Sequence, residues 1–119
     1  MPPQKTSNLG KSAEDLACKL LADIGYKILD RNFHSRFGEI DIIAEFGGNL
    51  VFIEVKARWS LKFGLPEEAV TKQKIYKIIK TAQYYSLIHP ELSKNLRIEV
   101  VALTMLNSQI LSYKIIKVD

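Results

Sequence analysis

The feature that most limits how this chain can fold is Gly47-Gly48, set between two apolar-rich runs, GEIDIIAEF and NLVFIEVKA. Two adjacent residues that tolerate positive φ between such runs specify a two-residue hairpin, because that turn matches the twist of paired strands. The register then follows by counting outward from Phe46 opposite Asn49. Ile42 is expected opposite Ile53, Ala44 opposite Val51 and Ile40 opposite Val55, which makes one face of the ribbon wholly apolar. On the other face Ile43 is expected opposite Phe52 near the turn, Asp41 opposite Glu54, and Glu39 opposite Lys56 at the open end.

Around this ribbon the other elements can be read from periodicity. Residues 1–8 hold two prolines and no apolar period and are read as a flexible leader, with a single domain over 9–119. Leu9, Ala13, Leu16, Ala17, Leu20, Leu21 and Ile24 recur at helical spacing and predict a helix over roughly 10–24, closed by Gly25 in a left-handed cap. A strand from Tyr26 to Phe33 and a polar connection from His34 to Phe37 lead into the hairpin. Pro66 with Glu67 and Glu68 has the composition of a helix first turn, since proline needs no N–H there and acids suit the dipole. Ala69, Val70, Ile75, Ile78, Ile79, Ala82 and Tyr85 carry that second helix to about Leu87. Alternation over 96–106 and 109–117 around Asn107-Ser108 predicts a second hairpin. The expected class is α/β, a mixed sheet flanked by helices in the order α-β-β-β-α-β-β.

Composition narrows the functional classes. The chain has 119 residues, 47% of them apolar and 25% charged, the balance of one folded domain rather than of a disordered chain. No run approaches the ~18 apolar residues of a membrane span and the N-terminus lacks a signal-peptide core, so the expected compartment is the cytoplasm. Cys18 with only His34 and His89 gives no zinc-ligand spacing, and structural zinc is not expected. A net charge of +4 and a pI near 9.2 favour a polyanionic partner.

The chemistry is expected at the open end of the ribbon. Like charges opposite one another on a sheet repel, so Asp41 against Glu54 calls for a cation. Lys56 supplies one, and a dication would supply more; two carboxylates with room for water and phosphate oxygens are what Mg²⁺ accepts from protein. Asp41, twelve intervening residues, then Glu54-Val55-Lys56 resembles the D…(D/E)-x-K signature of restriction-endonuclease-like nucleases. GEIDIIA, VFIEVKAR and FGLPEEAV before a lysine-rich helix resemble the bacterial YraN-like family, similar in fold to archaeal Holliday-junction resolvases. The proline of the wider signature is missing, with Ile40 before Asp41. Gln73 and Tyr76 are spaced three apart, where the related recombination-nuclease pattern has four.

The resemblance implies a three-layer restriction-endonuclease-like domain and a Mg²⁺- or Mn²⁺-dependent endonuclease acting on DNA, including branched or recombination intermediates. It assigns metal binding to Asp41, Glu54 and Glu14, and to Lys56 the handling of the attacking water and of charge on the phosphate. Glu39 joins the catalytic group as an additional acid. Arg36, Arg58, Trp59, Lys62, Lys72, Lys74 and Lys77 are candidate nucleic-acid contacts, as cations and an aromatic beside that site. A homodimer is a further expectation from the near two-fold symmetry of such substrates. The alternatives are a catalytically inactive nucleic-acid-binding module on the same fold and an RNA-processing protein.

Overall fold

A computed structural model describes residues 2–59 and 70–118, with residues 2–11 described by backbone alone. The elements are α1 (Pro2–Asp23), β1 (Lys27–Ser35), β2 (Gly38–Phe46), β3 (Asn49–Arg58), α2 (Lys72–Ile88), β4 (Leu96–Leu106) and β5 (Gln109–Val118). The strands form one sheet in the order β1-β2-β3-β4-β5. β3 and β4 pair in parallel and the other neighbours antiparallel, so the sheet is mixed. A parallel pair cannot be closed by a tight turn, and the crossover between β3 and β4 carries α2.

The helices cover opposite faces of the sheet. Ala13, Ala17 and Leu21 of α1 pack with Ile42, Ala44, Val51, Ile53, Val101 and Leu103. Ile78, Ala82 and Tyr85 of α2 pack with Ile40, Ile43, Leu50 and Phe52. Two cores sharing one sheet make a three-layer α/β/α arrangement.

Element bounds differ in detail from those expected. The backbone of α1 is helical from Pro2, well before the apolar stripe begins, because a proline in the first turn forfeits no intrahelical bond. Its other end is the expected glycine cap: Gly25 has φ 108°, its N–H donates to the Ala22 carbonyl, and the Tyr26 N–H donates to Leu21. α2 begins at Lys72, where extended Thr71 caps it by accepting a 3.1 Å hydrogen bond from the Lys74 N–H. Residues 70 and 71 are therefore not helical, and the expected start at Pro66 lies outside the described residues.

The connection expected over His34 to Phe37 is shorter. β1 runs on to Ser35, and only Arg36 and Phe37 turn the chain. Ser35 Oγ accepts from the Phe37 N–H at 3.1 Å and donates to the Gly38 carbonyl at 3.3 Å, so one hydroxyl staples the tip. Gly38 rests on α2: a Cβ there would lie 3.3 Å from Thr81 Oγ1, and its φ of 150° suits glycine alone.

The central hairpin has the counted register near its turn, from Phe46↔Asn49 through Ala44↔Val51 to Ile42↔Ile53, with Gly47 and Gly48 at φ 58° and 80°. There the ladder stops. The pairs expected beyond it, Asp41 with Glu54, Ile40 with Val55 and Glu39 with Lys56, do not form, and the two strands part. Ile40 also leaves its expected face, joining the core under α2 while Ile42 joins the core under α1.

Candidate active site

The parting of β2 from β3 is produced by a change of face in two adjacent strands. Residues i and i+2 of a regular strand share a face, yet Ile42 and Ile40 lie on opposite ones. β1 does the same beside them. Arg31 donates to Asp15 of α1 at 2.6 Å, whereas Phe33 packs into the core under α2. Between them Asn32 adopts φ 52°, a conformation that asparagine tolerates better than most residues. Arg31↔Ile42 and Phe33↔Ile40 remain paired, so the switch falls on Asn32 in β1 and on Asp41 in β2.

Asp41 therefore lies at the boundary between the two layers, and its carboxylate reaches sideways across the gap. Oδ2 accepts a 2.8 Å hydrogen bond from the Val55 N–H, taking the place of a main-chain carbonyl where the ladder has ended. β3 itself stays regular. Val51, Ile53, Val55 and Ala57 pack under α1, leaving Leu50, Phe52, Glu54 and Lys56 on the α2 side by strict alternation.

Glu54 is 4% exposed and is met by two cations, Lys74 Nζ at 3.1 Å and Lys56 Nζ at 3.7 Å from the same Oε2. Asp41 hydrogen-bonds to it as well. Burial, that hydrogen bond and the Glu54 charge push the Asp41 carboxyl up to about 8, against the smaller pull of the Val55 N–H. Burial pulls the Lys74 ammonium down, but the hydrogen bond and charge of Glu54, with Asp41 and Glu39 behind it, leave it above its ordinary value. A half-buried and a buried carboxyl thus meet beside two ammonium groups.

The other expected residues are distributed around this centre. Glu39 does not face Lys56; it turns to His34 across β1, with Nδ1 3.2 Å from Oε2, and is 58% exposed. It lines a cavity of about 320 Å³ with Lys74 and Lys77. Glu14 on α1 is near enough for its charge to act on Asp41, and burial raises its own pKa against the opposing pull of Arg31 and a hydrogen bond from Asn32. Arg58 ends β3, Trp59 after it is 41% exposed, and Lys72 is exposed at the start of α2. Arg36 stands at the β1–β2 tip, and Lys62 lies outside the described residues.

Lys74 is the residue whose role sequence reasoning missed. The sequence offers it only as one of several candidate nucleic-acid contacts, although Lys74, Ile78, Ala82 and Tyr85 recur at four- and three-residue steps on the stripe that meets the sheet. A lysine on a buried stripe needs a buried acid, and that was the available signal.

The donor set suits a hard dication: two carboxyls are brought together where β2 and β3 part, and burial and the Glu54 charge push the Asp41 carboxyl up. A cation between them would relieve their mutual repulsion. Among the described residues no group of three or more Asp, Glu, His or Cys side chains is placed to hold a metal together, so the set is these two.

Fold and site together define a mixed α/β domain with a centre of two carboxyls and two lysines around buried Glu54. The chain belongs to the family described as uncharacterised protein family UPF0102, which matches residues 13–103. It is 48% identical over 94 residues to a UPF0102 protein of Persephonella marina, covering 79% of this chain and 81% of that one. A relative from Caldicellulosiruptor saccharolyticus is 42% identical over 112 residues, covering 92% and 93% of the two chains. No described helix is long and apolar enough to cross a membrane.

Proposed function

We propose that this protein is a metal-dependent endonuclease that hydrolyses phosphodiester bonds in DNA, on a restriction-endonuclease-like fold. The observation that carries the reading is the pairing of half-buried Asp41 with buried Glu54 at the parting of β2 and β3, with Lys56 and Lys74 against Glu54. A structural ion pair needs one acid and one base. Two acids held side by side away from bulk water cost stability, and such costs are retained at sites that do chemistry.

Asp41 and Glu54 would hold Mg²⁺ or Mn²⁺, with Glu14 assisting by charge. The metal, when bound, supplies Lewis acidity and a more acidic bound water. The chain's own residues do the rest. Lys56, beside Glu54 and half-buried, orients the attacking water and faces the charge that grows on the phosphate. Lys74 offers a second ammonium to the same phosphate. The Val55 N–H fixes Asp41, so one ligand is held in place before substrate arrives. Water attacks phosphorus in line, the P–O bond to the 3′-oxygen breaks, and a proton returns to that leaving oxygen. Branched DNA as substrate, a homodimer and a cytoplasmic site of action complete the reading.

The test is cleavage of flap, fork, four-way and linear DNA with Mg²⁺, Mn²⁺ or EDTA, beside Glu54→Ala and Lys56→Ala. Metal-dependent cutting lost in both variants is the expected result. One observation favours a second reading, a nucleic-acid-binding module: Glu54 is already neutralised by two lysines. Salt-sensitive binding that persists in EDTA, with no cutting of any substrate, would decide for it. Matching RNA substrates separate an RNA-processing role.

A further inference from the structure

Two adjoining cavities lead away from Lys74 and differ in chemistry. The first, of about 320 Å³, lies between the β1–β2 tip and α2 and is lined by His34, Ser35, Gly38, Glu39, Lys74 and Lys77. The second, of about 360 Å³, is lined by His34, Ser35, Arg36, Phe37 and Tyr84. Because His34 and Ser35 line both, the two form one groove from Lys74, at Glu54, to an aromatic wall at the tip of the β1–β2 turn. Each lobe falls within the ~300–1,000 Å³ typical of small-ligand sites.

The wall is built, not incidental. The Arg36 guanidinium lies 5.0 Å from the centroid of the Phe37 ring. The Phe37 and Tyr84 rings stand 6.0 Å apart at 55°, and Tyr84 leans in turn on Phe33 at 6.3 Å. The tip that presents Phe37 is stapled by Ser35 and set down on α2 through Gly38. Tyr84 is nonetheless 39% exposed, so this wall keeps apolar ring surface in water. The groove's lining offers Lys74, Lys77 and Arg36 against one carboxylate, Glu39, which is engaged by His34, while Lys74 also pairs with Glu54.

We propose that this groove is a subsite for an unpaired nucleotide of a DNA strand, its phosphate on Lys74 and Lys77 and its base stacked on the Phe37–Tyr84 wall. The reading deepens the nuclease proposal and rests on it for the class of ligand. Cations that track a backbone beside exposed aromatic rings are the chemistry of single-strand recognition, because every base has a π-face. A base inside a duplex already has both faces covered by its neighbours and cannot use the wall. The groove therefore selects DNA with a single-stranded or splayed nucleotide next to the bond that meets Glu54, as at a flap, fork or junction.

The experiment is fluorescence anisotropy in EDTA, using a labelled oligodeoxythymidylate of about ten nucleotides and a blunt duplex of the same length. The proteins are wild type, Phe37→Leu, Tyr84→Leu and Tyr84→Phe, each checked for an unchanged melting curve. Phe37→Leu and Tyr84→Leu are expected to weaken single-strand binding about tenfold and to leave duplex binding within about twofold, while Tyr84→Phe, which keeps the ring, binds as wild type. Single-strand affinity unchanged in both leucine variants, or lost equally for duplex and single strand, overturns the subsite. Should Tyr84→Leu fail to fold, Phe37→Leu at the solvent-facing tip decides alone. Metal is absent, so the outcome is independent of cleavage. A protein that cuts no DNA yet loses single-strand binding in these variants refutes the nuclease and keeps the groove, and a metal-dependent nuclease whose variants bind normally does the reverse.

Discussion

Asp41 Oδ2 lies 2.8 Å from the Val55 main-chain nitrogen, a side chain closing the gap where two strands cease to pair. That bond fixes an acid whose folded-state pKa of about 8 stands above its ordinary 3.8. For a carboxyl shifted upward, the favourable contribution is fully present below the unfolded value and is lost as pH rises through the folded one. Metal-free protein is therefore expected to lose stability from about pH 4 to pH 8, by at most ~1.4 kcal/mol per pH unit. Asp41→Asn keeps an acceptor for Val55 and a donor for Glu54 but cannot ionise. Urea denaturation in EDTA on both sides of this window checks it: the variant should flatten the slope, and an unchanged slope would clear Asp41 of responsibility.

Lys74 competes with any metal for Glu54 Oε2. Replacing it with methionine keeps the aliphatic stem on the sheet and removes the ammonium. Calorimetric titration of Lys74→Met with Mn²⁺ is expected to give tighter binding by a few-fold, ~1 kcal/mol for a half-exposed cation, with DNA cleavage reduced. Weaker Mn²⁺ binding would mean that Lys74 instead holds Glu54 in position for the ion.

Tyr26 secures the far end of the sheet. Its hydroxyl donates to Glu99 Oε1 at 2.7 Å, with Glu99 3% exposed and Arg97 3.5 Å from its other oxygen. Tyr26→Phe leaves a buried carboxylate short of a donor and should cost about 1–3 kcal/mol in a urea midpoint comparison. The ring stack on Phe46, 4.1 Å between centroids, is untouched by that change.

Gly38→Ala tests how the β1–β2 tip is seated. Its φ of 150° and the 3.3 Å approach to Thr81 Oγ1 both oppose a methyl group, for an expected loss of ~1–3 kcal/mol. Hydrogen exchange should quicken in Ser35 to Gly38 and at the Lys77 turn of α2, and remain unchanged in β4 and β5.

The sequence made the central hairpin legible as far as local rules reach. Gly47-Gly48 fixes the turn, and alternation carries the register to Ile42 opposite Ile53. Past that pair the outcome depends on which core claims each side chain, and no local pattern states that Ile40 belongs with Tyr85 while Ile42 belongs with Leu21. Asp41 and Glu54 were paired by counting, and they do meet, but through a side chain bent across a gap rather than across a ladder. Lys74 reads from the sequence as a nucleic-acid contact because no local pattern tells that it meets Glu54, and Glu39 reads toward Lys56 because its partner, His34, lies on β1. Thr71 was overlooked in favour of Pro66, although a threonine three residues before Lys74 is the simpler cap.

The change of face at Asn32 and Asp41 makes the acidic centre a meeting point of two otherwise separate interiors. Volume added beneath α1 and volume added beneath α2 press on the same residue from opposite sides, through Ile42 and through Ile40. Substitutions far from any reacting atom, on either side of the sheet, thereby become a means of adjusting the spacing between the two acids without altering either one.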